Sequence, residues 1–188
     1  MCASWPPIHK VDLDARSNRI SAVLRVRIGF DVSPLQRPHP RGVVRVTSGL
    51  ALALERRGNL EVVRLAPADG EDLRRWRAIE LPRLVRDRDL AGIHSCVSAF
   101  AFRGRGARVQ TIHELPWLHG ARKGADLRHR AWAALGPMFA DAVLTGTEFV
   151  ARDLRRRLLP GNSKIRVCQW GVGPPFQGES PPEIVDEV

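Results

Sequence analysis

The 188-residue chain has no apolar run approaching the length needed to cross a bilayer, which excludes a membrane-spanning helix. Its first residues, MCASWPPIHKVDLDARSNRIS, lack the basic start and apolar block of a secretory signal, so a cytoplasmic location is expected. Cysteine is scarce. Cys2, Cys96 and Cys168 form no pair at metal-ligand spacing, and their odd number suits reduced thiols rather than a disulfide framework. Lysine is equally scarce, for of thirty basic residues only Lys10, Lys123 and Lys164 are not arginine. Residues 1–23 keep neither a helical nor a strand period, and Pro6-Pro7 among scattered charges predicts a flexible leader.

What is present fits one domain with a proper core: 44% hydrophobic and 27% charged residues over a length too short for two ordinary domains. The formal net charge of +10 attracts anions. One reading it supports is a basic binding module for nucleic acid or an anionic membrane surface. Against nucleic acid, the arginines are spread through every predicted element, with runs only at Arg74-Arg75 and Arg155-Arg156-Arg157. A solvated surface explains such dispersal; a nucleotide or phospholipid headgroup remains a compatible partner, with peripheral contact at the inner face of a membrane.

The chain is organised around Arg25 to Thr47. Val26, Ile28, Phe30 and Val32 alternate in a β-branched and aromatic run that predicts a buried strand. Asp31, Ser33, Pro34, Pro38 and Pro40 force a loop, and Gly42 leads into Val43, Val46, Thr47, Leu50, Ala51 and Leu54, one face of a helix. Strand, loop, glycine, helix is the order that aims unpaired helical N–H groups at the crevice beyond a strand's carboxyl end. Arg37, Arg41 and Arg45 surround that point. An anion site and a glycine-relieved turn with solvated arginines both fit.

Further strands are predicted at 60–65, 90–95, 108–112, 141–145 and 165–168. Between them, 69–89 reads as one helix interrupted around Pro82 or as two short ones, Leu127 to Phe139 as a helix bent by Gly136-Pro137, and the segment after Glu148 as another helix. Gly58 is the expected end of the first long helix, and either Thr145 or Thr147 the cap of the last. This alternation predicts an α/β fold: a three-layer, Rossmann-like domain with a mainly parallel sheet.

In order, RIGFD at Arg27 to Asp31, RGVVRVTSGLALAL at Arg41 to Leu54, TIHELPWL at Thr111 to Leu118, ADAVLTGTEFVARDL at Ala140 to Leu154 and KIRVCQWGVGPPF at Lys164 to Phe176 resemble the amino-terminal half of glycosyltransferase family 4, enzymes of the GT-B fold. The resemblance implies a sugar moved from a nucleotide-sugar co-substrate to a glycan or lipid-linked acceptor, with retention and with no obligatory metal or other cofactor. It assigns residues 24–176 to the acceptor-side Rossmann-like domain and residues 177–188 to an interdomain linker or the start of a donor domain. It implies too that the chain needs a donor-binding half, on a longer polypeptide or on a separate chain, to act, the alternative being a non-catalytic remnant.

By position, the resemblance assigns Gly42, flanked by Arg41 and Arg45, to the donor diphosphate or the acceptor. It sets His113 facing the transferred sugar and Glu148 at the polar position of the segment TEF, where a capping role is favoured over a ligand contact. Two departures stand out: Arg41-Gly42 replaces a glycine pair, and Trp170-Gly171-Val172-Gly173 replaces Asn-Gly-Val-Asp.

Several single residues admit two readings. His113 also fits a core histidine bonded to backbone, and His113-Glu114 continues to Leu115-Pro116 rather than to a second zinc ligand, so no metal site is predicted. Asp87-Arg88-Asp89 reads as a solvated loop, and Gly104 and Gly106 precede a strand, which does not fit a dinucleotide fingerprint. Trp117, Trp132 and Trp170 suit sugar stacking, though Trp132 reads as packing. Arg152, Arg155, Arg156 and Arg157 suit a lipid phosphate or a solvated helix face.

Overall fold

The computed structural model describes residues 25–36, 41–120, 127–158 and 163–171. The predicted leader, the linker at 177–188, Arg37, Pro38, Pro40 and Gly173 lie outside them. Six strands form one sheet in the order β2-β1-β3-β4-β5-β6. They are β1 (Val26–Asp31), β2 (Leu60–Leu65), β3 (Gly92–Ser95), β4 (Ala107–Ile112), β5 (Ala142–Thr145) and β6 (Ile165–Val167). Every pairing is parallel. The chain is a three-layer α/β domain of Rossmann-like architecture.

Parallel neighbours joined by right-handed crossovers fix which face each helix covers. From β1 the chain steps outward to β2 through a short α1 (Ser33–Gln36) and the long α2 (Arg41–Glu55), then reverses and runs steadily from β3 to β6. Hence α2 lies on one face, where Ala51, Leu50 and Leu54 pack with Phe30, Val32 and Cys96. The opposite face carries α3 (Leu73–Arg75) and α4 (Leu81–Asp87), then α5 (Leu127–Phe139) and α6 (Glu148–Asp153). Two cores lie under them, one around Trp76, Leu81, Val85 and Ile93, the other around Phe100, Ile112, Val143, Leu154 and Ile165. Both faces of β1 are covered, which explains its near-continuous apolar run.

Between α3 and α4 the interruption is a π-helical turn, Trp76–Glu80, and it comes before Pro82 rather than at it. Proline has no N–H and crowds the carbonyl four residues back, and the wide turn, closed by Leu81 N–H to the Trp76 carbonyl, absorbs that clash. Gly58 is not a left-handed cap, because α2 stops at Glu55 and a turn follows. Pro137 is accommodated inside α5, where Gly136 lies so close to the Gln110 amide that a Cβ would collide with it. Asp72 caps α3 by accepting from Arg74 and Arg75 N–H, and Thr147, not Thr145, caps α6 by accepting from Val150 N–H at 3.2 Å. None of the helices among the described residues is long and apolar enough to cross a membrane.

Candidate functional site

In an all-parallel sheet the carboxyl ends of all strands share one edge, and the strand order reverses between β1 and β3. That junction holds a buried charge network. Asp31, the last residue of β1, is fully buried and accepts the Ser33 N–H at 2.9 Å and the Ser95 hydroxyl at 3.3 Å. Arg77, from the π-helical turn, brings Nε to 3.4 Å from Asp31 Oδ2 and donates from Nη2 to Ser33 Oγ at 3.0 Å. The guanidinium, 7% exposed, neutralises an acid that could not otherwise be buried. It ties the π-helical turn to the crevice floor.

Sequence reasoning passed over Arg77. Its spacing carried the signal: Leu73, Arg77, Leu81 and Val85 repeat every four residues, which puts an arginine on the apolar face of the helix. Such a charge needs a buried partner, and Asp31 is the one the fold supplies.

Beside this network, Cys96 follows the last residue of β3 and His113 follows the last residue of β4. His113 Nε2 lies 2.8 Å from the Cys96 carbonyl oxygen, and its ring is 5.9 Å from that of Trp170, tilted by 47°. Trp170 reaches this position because residue 146, just past β5, is a glycine whose missing Cβ leaves room for the indole Nε1. His113, Gly146 and Trp170 thus form one wall of the carboxyl edge. Burial drives the Cys96 thiol up to about 12, with the Asp31 charge adding to the rise and a hydrogen bond to Thr47 opposing it. A thiol so protonated is no nucleophile.

Beneath this wall, His94 is buried with Nε2 2.9 Å from Thr111 Oγ1 and its ring edge-on to Phe30. Burial lowers its pKa to about 4, so it is neutral and structural.

The remaining candidates lie near the same edge without joining these contacts. Arg41 and Gly42 open the first turn of α2 and are exposed; a Cβ at Gly42 would meet nothing within 4 Å. Among the described residues no steric need for glycine operates there. Arg45, one turn further along α2, is also exposed. Two strand spacings, roughly 10 Å, separate β1 from β4. Glu148 is the first residue of α6, where its charge suits the helix dipole, but its carboxylate turns outward to Arg155 at 3.4 Å and makes no capping bond.

Behind the wall, His119 Nε2 lies 2.5 Å from Asp153 Oδ2, and Arg157 Nε reaches Asp153 Oδ1 at 3.6 Å and the Leu118 carbonyl through Nη1 at 2.9 Å. This fastens the loop after β4 to α6. Asp87, the last residue of α4 rather than part of a loop, pairs with Arg86, and Asp89 takes a left-handed φ of 50° in the exposed turn that follows. Among the described residues no group of three or more His, Cys, Asp or Glu is arranged to hold a metal.

Set beside known proteins, the chain matches no family model and no curated protein.

Proposed function

We propose that this domain is the acceptor-side lobe of a retaining, nucleotide-sugar-dependent glycosyltransferase. The observation that carries the reading is the carboxyl-edge wall of His113 and Trp170, with the first turn of α2 at Arg41-Gly42 on the same edge. The sequence resemblance assigns a sugar-facing role to that histidine and a diphosphate-facing role to that glycine.

Chemically, the Cys96 carbonyl can only accept, so His113 donates from Nε2, which in the neutral imidazole leaves the lone pair on Nδ1. Nδ1 is then the atom to take a proton from an acceptor or sugar hydroxyl. The indole face of Trp170 supplies an apolar plane against which a pyranose packs. The first turn of α2 at the exposed Arg41-Gly42, with Arg41 and Arg45 beside it, suits a diphosphate as negative charge develops on it. A donor-binding lobe, on the same polypeptide or on a separate chain, is the partner this division of labour requires.

The test combines calorimetry with a transfer assay. The 188-residue chain alone is expected to leave UDP-glucose and GDP-mannose unconsumed, and to transfer sugar when a donor-side lobe is supplied, with His113→Ala lowering that transfer by at least about a hundredfold. Turnover of a nucleotide sugar by the chain alone would end the division of labour. Full transfer by His113→Ala would end the assignment of His113.

A further inference from the structure

Away from the carboxyl-edge wall, the π-helical turn and α5 stand apart over β3 and β4. Between them is a cavity of about 190 Å³ lined by Ala78, Phe100, Phe102, Arg103 and Trp132. Its back wall is aromatic: Phe102 and Trp132 stack with centroids 4.2 Å apart and planes 4° from parallel, and Phe100 meets both edge-on. Ala78 belongs to the widened turn, and its single methyl leaves the mouth open. Arg103 has no ion-pair partner among the described residues and is exposed at the rim.

The apolar surface does not stop at the cavity. Phe139 packs edge-on against Phe102 at 5.2 Å, and Leu135, Met138 and Phe139 along α5 are 51%, 61% and 48% exposed. Soluble domains rarely leave a contiguous apolar strip bare, and one that runs out of a concave pocket marks a ligand's path.

We infer that this pocket binds a single-chain amphiphilic phosphate, with the headgroup on Arg103 at the rim, the adjoining hydrocarbon in the aromatic slot and the rest of the chain leaving along α5. Size supports the occupant, since a dry cavity of about 150 Å³ already holds benzene. A branched chain or ring slightly larger than benzene therefore fits here. The arginine fork matches phosphate geometry in two parallel hydrogen bonds, and the chain's +10 charge adds a general attraction for anions. The slot does not depend on the sugar-transfer reading, because it lies outside the wall that would hold the sugar and its test uses no nucleotide sugar.

The five tryptophans each give an indole N–H signal in a ¹⁵N-labelled sample, and loss of one in Trp132→Phe assigns the reporter. Geranyl phosphate is expected to move the Trp132 signal saturably while leaving that of Trp170 in place, and geraniol to bind about tenfold more weakly. Inorganic phosphate alone should leave it unmoved. Ala78→Leu, at an exposed position where folding is not at stake, should cut affinity for geranyl phosphate by about tenfold, and Arg103→Gln should reduce it to that of geraniol. The inference is overturned if inorganic phosphate moves the signal with equal affinity, if geraniol binds as tightly as its phosphate, if the shift never saturates, or if Ala78→Leu binds unchanged.

Discussion

The imidazole of His113 is bound through Nε2 to the carbonyl oxygen of Cys96, two strand ends meeting through one hydrogen bond of 2.8 Å. Because β3 and β4 are parallel neighbours, that bond lies along the carboxyl edge and holds the ring against Trp170. Two substitutions should separate its chemistry from its packing. His113→Ala should lower sugar transfer, measured with a donor lobe present, by at least about a hundredfold, the lower range for a lost proton-transfer group. Its cost in urea unfolding should be only about 1 kcal/mol, one hydrogen bond. Gly146→Ala should instead displace Trp170, visible as a shift of that indole N–H signal, and weaken acceptor binding while leaving His113 in place.

Removing Arg77 should be the more damaging change to the fold. Arg77→Met leaves the Asp31 carboxylate buried without its cation, and breaking such a pair from one side costs about 3–5 kcal/mol. Arg77→Met with Asp31→Asn should recover much of that loss, since a neutral amide still takes the Ser33 N–H. A double mutant that is additive in urea unfolding would show that the two groups do not act as a pair.

Stability should also depend on pH through His94. Its folded pKa, near 4, lies below the unfolded value of 6.5, so between those limits the unfolded chain binds the extra proton. Stability therefore rises with pH through that window and is lost as pH falls from 6.5 towards 4. The span is of order 3 kcal/mol for a shift of this size. In His94→Gln, followed by urea titration at several pH values, this part of the pH slope should vanish while Thr111 keeps a hydrogen-bonding neighbour.

A pair of glycines offers an internal control. Gly106 and Gly120 share a φ of 78°, where an L-residue costs about 1–2 kcal/mol. Among the described residues nothing lies within 4 Å of where a Cβ on Gly120 would sit, so Gly120→Ala should show that cost alone in thermal unfolding. At Gly106 a Cβ would collide with the Ala91 carbonyl, whose oxygen accepts the Ala107 N–H at 2.9 Å. Gly106→Ala should therefore be clearly the worse of the two, because β4 begins at Ala107 and must shift.

Much of this fold was written in local patterns. Val26 to Asp31 and Leu60 to Leu65 announce strands through their β-branched runs, and Leu127 to Phe139 announces a helix through its length and spacing, so the alternation that demands a parallel three-layer sheet was legible. The placement of His113 at a strand's carboxyl end followed from the same alternation. Turn chemistry was less secure. Thr145 and Thr147 both stand where a cap could be, and only the extended backbone at Thr147 gives its hydroxyl the Val150 N–H.

What the chain order alone determined was the kind of architecture and the edge on which polar residues would gather, because period and punctuation are local properties. Partnership was decided by tertiary structure. Asp31 meets Arg77 across 46 residues, Cys96 lends His113 its carbonyl across 17, and Trp170 settles over Gly146, each through strands brought side by side. No periodicity encodes such meetings, since they depend on which strands pair and on the missing Cβ that lets a ring approach.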